Sequence, residues 1–283
     1  MVENDSGTFD IGGDLTVNRL GFGAMRITGD AIIGRPEDEN EAHRVLQRAV
    51  DLGVDFIDTA DSYGPGVSER LIGEALDATR EDLVVATKAG LLRNRSGDWL
   101  PHGDPDYIRN QVLTSIDRLG VDQIDLYQFH RPDPDTDFEA SVQAFADLKD
   151  EGLVNHVGLS NVSVEQLETA REVVDVATVQ NEYSFANREH EAVLDACEDY
   201  GIGFIPYAPL VWGSIEDEAR QAAETVAERH DASVYQIALA WVLDRSDVTL
   251  PIPGTSSVDH LEDNVAATTV DLDDEDRATL DLR

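Results

Sequence analysis

Val54-Asp55-Phe56-Ile57-Asp58-Thr59-Ala60-Asp61-Ser62-Tyr63-Gly64 is the stretch on which the reading of the chain turns. Val54 to Ile57 is β-branched and aromatic and follows Gly53, the composition of a short buried strand. Asp58 stands where the apolar run stops, and Tyr63 follows on a glycine-bearing turn. An acid at a strand's end and a tyrosine on the next loop can meet over one pocket, an arrangement suited to proton transfer. Taken alone, the stretch equally fits a strand-capping aspartate and a half-buried loop tyrosine.

The surrounding chain repeats the same unit. Thr8 to Ile11 and Leu15 to Asn18 flank Gly12-Gly13-Asp14 and read as a β-hairpin. Short strands follow at Gly21 to Met25, Val54 to Ile57, Leu83 to Thr87, Ile124 to Phe129, Val157 to Leu159, Ala177 to Val179, Ile202 to Tyr207 and Val248 to Ile252. An amphipathic helical pattern stands after each. The first has Ala42, Val45, Leu46 and Ala49 at helical spacing. Asp104 with Pro105 marks one helix start, and Ser163 with Gln166 forms a capping box at another. An Arg-rich stretch, Leu91 to Gly103, reads as a loop. Eight such units in 283 residues match a single (β/α)8 TIM barrel spanning residues 1–283, with an N-terminal β-hairpin. A Rossmann fold is disfavoured: Gly21-Phe22-Gly23-Ala24-Met25 begins like its glycine motif and lacks the third glycine.

Composition narrows the function. The chain carries 58 acidic against 21 basic residues, net −37, spread along every helix. Phosphate-rich partners such as nucleic acid would be repelled, and the pattern fits the solvated acidic surface of a halophile's protein, with stability that depends on salt. The N-terminus lacks the basic and apolar regions of a signal peptide, and no apolar run is long enough to span a bilayer, so a cytoplasmic protein is expected. Cys197, the only cysteine, lies on a helical pattern as a small apolar residue.

Lysine is informative because there are only two, Lys88 and Lys149. Lys149 sits at a polar helix end. Lys88 closes the apolar run Leu83 to Thr87, where an ammonium is costly to bury without a partner. Asp58, at the end of the preceding strand, is the natural one.

In a barrel the working face lies where the strands end. Those positions are Met25, Asp58, Lys88, His130, Ser160-Asn161, Gln180-Asn181, Tyr207 and Pro253-Gly254. The same residues carry a resemblance. Asp58-x-Ala60-x-x-Tyr63-Gly64, Ser68-Glu69-x-x-Ile72-Gly73, Lys88 and Phe129-His130 resemble the aldo-keto reductase superfamily. So do Gly158-Leu159-Ser160-Asn161, Gln180-Asn181-Glu182-Tyr183, Tyr207-Ala208-Pro209-Leu210 and Ile252-Pro253-Gly254-Thr255 with Asn264. The match runs in family order over essentially the whole chain.

The resemblance implies an oxidoreductase, by default a monomer, that transfers hydride from NADPH, with NADH use possible, to an aldehyde or ketone. Asp58, Tyr63, Lys88 and His130 would be its catalytic residues. Tyr63 would donate the proton, Lys88 would lower the tyrosine's pKa, Asp58 would hold the lysine charged, and His130 would orient the carbonyl. Gly23, Met25, Ser160, Asn161, Gln180 and Tyr207 would hold the nicotinamide end of the cofactor. Pro209, Leu210, Gly213 and Ser214 would lie along the pyrophosphate. Pro253, Gly254, Thr255, Ser256 and Ser257 would serve the adenosine end with His260, Asp263 and Asn264, at a helix N-terminus that favours anions. Many NADPH-specific relatives place Lys and Arg where this chain has Gly254 and His260, with Glu262 close by. The substrate pocket would draw on Met25, Arg26, Trp99, Arg131 and Trp212. Met25 to Gly29, Gly34-Arg35-Pro36 and Pro253 to Ser257 resemble the branch that includes bacterial pyridoxal reductases. A non-catalytic nicotinamide sensor, like the potassium-channel β subunits of the same superfamily, is the alternative. A barrel hydrolase using Asp58 and a second carboxylate is a weaker one.

Overall fold

The computed structural model describes residues 3–210 and 217–280. A hairpin of β1 (Thr8–Ile11) and β2 (Leu15–Asn18) comes first. Then follow β3 (Phe22–Gly23), α1 (Glu39–Asp51), β4 (Phe56–Asp58), α2 (Val67–Ala75) and β5 (Val84–Ala89). Next come β6 (Leu91–Arg93), β7 (Trp99–Pro101), α3 (Pro105–Leu119), β8 (Ile124–Phe129), α4 (Phe138–Asp150) and β9 (Val154–Ser160). The chain continues through α5 (Val164–Arg171), β10 (Val176–Glu182), α6 (Glu191–Tyr200), β11 (Gly203–Tyr207), α7 (Asp217–His230) and α8 (Val234–Arg245). The last described helices are α9 (Val258–Ala266) and α10 (Asp274–Leu280).

Seven strands pair in parallel in the order β11-β10-β9-β8-β5-β4-β3. Residues 248–253 supply the eighth stave. On one side Phe204 N–H donates to Val248 O and Leu250 N–H to Phe204 O, both at 2.8 Å; on the other, Gly21 N–H donates to Pro251 O at 3.0 Å. The barrel therefore closes. Pro251 and Pro253 have no N–H to give, so this stave pairs through scattered bonds and a single bridge rather than a ladder.

The helices begin as their sequence signals require. The Asp38, Asp104 and Asp137 carboxylates accept from backbone N–H groups in the first turns of α1, α3 and α4. Ser163–Gln166 and Ser233–Gln236 form reciprocal capping boxes on α5 and α8. Val45, Leu46, Ile108, Val112, Phe145 and Trp241 are among the apolar side chains that bury the helices against the outside of the sheet.

Three expectations change in detail. The strand expected at Gly21 to Met25 stops at Gly23 and gives way to a 3-10 turn, Ala24–Ile27. Lys88 and Gln180 lie inside their strands, not just beyond them. The Arg-rich loop contains a hairpin, β6 with β7, standing over the mouth.

Candidate active site

The ends of the strands enclose a cavity of about 550 Å3. Asp58, Tyr63, Trp99, His130, Arg131 and Tyr207 line it, as do Gly23, Met25, Arg26, Ser160, Asn161 and Gln180. Pro209, Leu210, Pro253 and Gly254 complete the expected set, and Ile32, Leu91, Ala208 and Ile252 join without having been foreseen. Lys88, fully buried, lies beneath the floor.

Lys88 Nζ donates to Asp58 Oδ2 at 2.6 Å and to Thr59 O at 2.9 Å. Two carboxamides complete the carboxylate's surroundings: Gln180 Nε2 donates to Asp58 Oδ1 at 2.8 Å and Gln128 Nε2 at 3.0 Å. A buried ion pair persists only when its remaining lone pairs are satisfied, and Asp58 meets that condition. Gln128 was not foreseen. Its signal is a polar residue inside the apolar run Ile124–Phe129, two positions before His130 and so on the same face.

Tyr63 covers this pair, its ring centroid 5.2 Å from Lys88 Nζ. Its hydroxyl makes no hydrogen bond to a described residue and lines the cavity. Burial, and then the Asp58 and Asp61 carboxylates, push Tyr63 well above an ordinary phenol. The sequence reading assigned the opposite effect to Lys88. Burial and these carboxylates set the direction, so in this structure Tyr63 remains a protonated phenol. His130 stands edge-on to Tyr63, centroids 5.7 Å apart. Burial, with Lys88 and Arg131 next, holds His130 well below the usual imidazole range and hence neutral. Ser62 Oγ lies 3.4 Å from His130 Nδ1, leaving Nε2 as the other ring nitrogen.

Trp99 completes an aromatic wall, its centroid 6.2 Å from that of Tyr63 and 6.5 Å from that of His130. The Arg93 guanidinium stacks 3.5 Å above the Trp99 ring and donates to Ile32 O, Ala31 O and Gly97 O. One side chain thus ties the β6–β7 hairpin to the loop after β3.

On the other flank, Asn161 links three pieces. Its Nδ2 donates to His130 O at 2.9 Å and to Ser160 Oγ at 3.0 Å, and its Oδ1 accepts from Tyr207 OH at 2.8 Å. Asn161 and Ala208 both take left-handed backbone conformations, φ 59° and 51°. Such strain is held only where surroundings enforce it, and here it aims Asn161 and Tyr207 into the mouth. Asn161 is therefore spent on protein contacts, whereas Gln180 Oε1 has no donor among the described residues and Ser160 Oγ keeps its own hydrogen.

These residues fit a nicotinamide dinucleotide: an open amide acceptor and a hydroxyl for a carboxamide, and a pinned aromatic ring for a nicotinamide face. Gly23 and Gly254 bring two backbones together where a Cβ on either would meet a carbonyl oxygen at 2.7 Å. Thr255, Ser257, His260, Asp263 and Asn264 lie outside the main cavity, around the start of α9. Ser256 lines a second cavity, of about 530 Å3, with Arg26 and the residues that follow it. Ser257 caps α9 through His260 N–H. Glu262, which threatened to repel a phosphate there, is paired with Arg48 at 2.6 Å. Trp212, Gly213 and Ser214 lie outside the described residues.

Behind the mouth, Asp61 accepts from Tyr107 OH at 2.7 Å and keeps Oδ1 unpaired. Burial, followed by the neighbouring Glu69, pushes its carboxyl up to about 8.

Comparison with known proteins agrees with this geometry. The family model described as "Aldo/keto reductase family" matches residues 19–282. An uncharacterized oxidoreductase of Schizosaccharomyces pombe is 48% identical over 98% of this chain and 90% of its own length. Pyridoxine 4-dehydrogenase of Escherichia coli is 40% identical over 98% of each. The crystal structure of an aldo/keto reductase from Klebsiella pneumoniae in complex with NADP and acetate superposes with a TM-score of 0.83, at 27% identity over 99% of this chain and 95% of that one. A closed eight-stave barrel, a buried Lys–Asp pair under a cavity-facing tyrosine, and a family match over nearly the whole length lead to one assignment: this chain belongs to the aldo/keto reductase family.

Proposed function

We propose that the chain reduces the carbonyl of an aldehyde or ketone with NADPH, Tyr63 giving the proton. One observation carries the reading: the phenol of Tyr63 and the ring of neutral His130 face a single cavity directly above the buried Lys88–Asp58 pair. Bound NADPH supplies the hydride that reduces the carbonyl carbon. His130 Nε2, as the protonated tautomer, donates to the carbonyl oxygen and directs it to Tyr63. As negative charge grows on that oxygen, Tyr63 transfers its proton and the alcohol results. The phenolate left behind faces the Lys88 ammonium, whose field is strongest in this water-poor pocket. Asp58, held by Gln128 and Gln180, keeps that ammonium charged and fixed.

NADPH is favoured over NADH by the NADP bound in the Klebsiella relative, by the free hydroxyl of Ser256 and by the neutralisation of Glu262 by Arg48. The Escherichia coli relative makes pyridoxal a substrate to try. The test is a fluorescence titration with NADPH and NADH, with cofactor oxidation followed over a panel of aldehydes that includes pyridoxal. Saturable NADPH binding with turnover is expected. Binding without turnover on any carbonyl would replace this reading with a nicotinamide sensor, and no binding would overturn it.

A further inference from the structure

Arg26 and Arg131 line the main cavity, and no carboxylate lies within 4.0 Å of either among the described residues. Carboxylates hold several other arginines, as Glu262 holds Arg48 at 2.6 Å and Glu69 holds Arg118 at 2.9 Å. Arg19, Arg70, Arg93, Arg95 and Arg171 also have none that close among the described residues, so it is their place in the cavity that sets Arg26 and Arg131 apart. The two cavity arginines differ in position. Arg26 lies against Gly254, where an added Cβ would sit 3.7 Å from its Cγ, on the flank assigned above to the dinucleotide. Arg131 directly follows His130, adds to the lowering of that imidazole after burial and Lys88, and hydrogen-bonds through its side chain with the hydroxyl of Tyr207, which burial raises above an ordinary phenol. Lys88 is out of reach of an incoming anion, because it is fully buried and does not line the cavity.

We infer that Arg131 is the subsite for a carboxylate or phosphate carried by the substrate, so that the preferred carbonyl compounds are anions. The inference rests on the reductase reading of this cavity. A surface of net charge −37 repels anions at long range. A guanidinium with no carboxylate partner among the described residues, exposed beside the reacting groups, supplies the local attraction that offsets it. Its planar fork matches either oxyanion with two parallel hydrogen bonds.

Two matched substrate pairs test this at one fixed KCl concentration: 4-carboxybenzaldehyde with methyl 4-formylbenzoate, and pyridoxal 5′-phosphate with pyridoxal. The readouts are the kcat/KM ratio within each pair and the Kd ratio of 4-(hydroxymethyl)benzoate to its methyl ester, by tryptophan fluorescence with NADP bound. Wild type is expected to favour the anion about 10-fold or more. Arg131→Met should cut that ratio about 10- to 100-fold, Arg131→Lys should keep part of it, and Arg131→Glu should reverse it. Preference in only one pair assigns the subsite to carboxylate or to phosphate. Equal use of anion and neutral partner by wild type, or a ratio unmoved in Arg131→Met, overturns the inference while leaving the reductase reading intact. Anion-selective binding without turnover of any carbonyl does the reverse.

Discussion

The two ends of the barrel are built from the same strands and are chemically opposite. Along each stave, inward-facing residues recur every second position. On β4 the step is Phe56 to Asp58, on β5 it is Val84, Ala86, Lys88, and on β8 it runs from Leu126 through Gln128 towards His130. At the lower end Phe56, Val84, Leu126, Ile205 and Leu250 form an apolar cluster, sealed by Ile11 and Val17 of the β1–β2 hairpin. That plug is held by His156 Nε2 against Asp14 at 2.7 Å. About 6.6 Å further along the same strands, one two-residue step, the interior becomes an ion pair, two carboxamides and a neutral imidazole. One end buys stability by excluding water, and the other spends it by burying charge that chemistry needs.

The comparison breaks hardest at Lys88. Lys88→Met leaves the Asp58 carboxylate buried and unpaired, so a loss of about 3–5 kcal/mol in urea unfolding is expected. The same variant should lose at least about 1000-fold in kcat/KM, because Tyr63 loses the charge that receives its phenolate. At the other end, Phe56→Ala removes a fully buried ring from the plug. It should cost about 3–5 kcal/mol of stability and change kcat/KM less than about fivefold in the protein that remains folded. Similar instability with contrasting kinetics separates the two ends.

Asp61 sharpens the contrast through pH. Its carboxyl is raised to about 8 by burial and then Glu69, whereas in the unfolded chain it ionises near pH 4. The native state therefore holds a proton that the unfolded state releases. The stability this confers is fully present below about pH 4 and is lost as pH rises through about 8. Thermal unfolding of wild type against Asp61→Asn should show a falling difference across that window, by at most about 1.4 kcal/mol per pH unit; parallel profiles would contradict it. The smallest effect expected is that of salt. Screening of the net charge of −37 should raise the unfolding midpoint with KCl, and a midpoint independent of KCl would remove the halophilic reading of the surface.

What the sequence revealed follows the same division. Asp58, Lys88 and His130 were legible because each ends or interrupts an apolar strand run, where a polar side chain needs a reason. Gln128 carries a weaker form of the same signal, because it stands inside the run Ile124–Phe129 and not at its end. The β6–β7 hairpin was hidden by its short strands and by Asn94 to Asp98 between them, a turn composition that reads as loop. The left-handed backbones of Asn161 and Ala208 follow from tertiary constraint, and no local pattern announces them. Nor could spacing show that burial, and then Asp58 and Asp61, raise the Tyr63 hydroxyl, since that depends on how loops and strands pack around it. Helix starts at Asp104 and Ser163 were clear for the contrary reason: a cap acts within four residues.

The most direct test of the account is Tyr63→Phe, measured for NADPH binding by fluorescence and for aldehyde reduction by NADPH oxidation on the same preparation. The account predicts a cofactor Kd within about threefold of wild type, with kcat lower by about 100- to 10,000-fold, the contribution expected of a positioned proton donor. Turnover retained within about tenfold would contradict it, and the proton would have to come from elsewhere in the cavity.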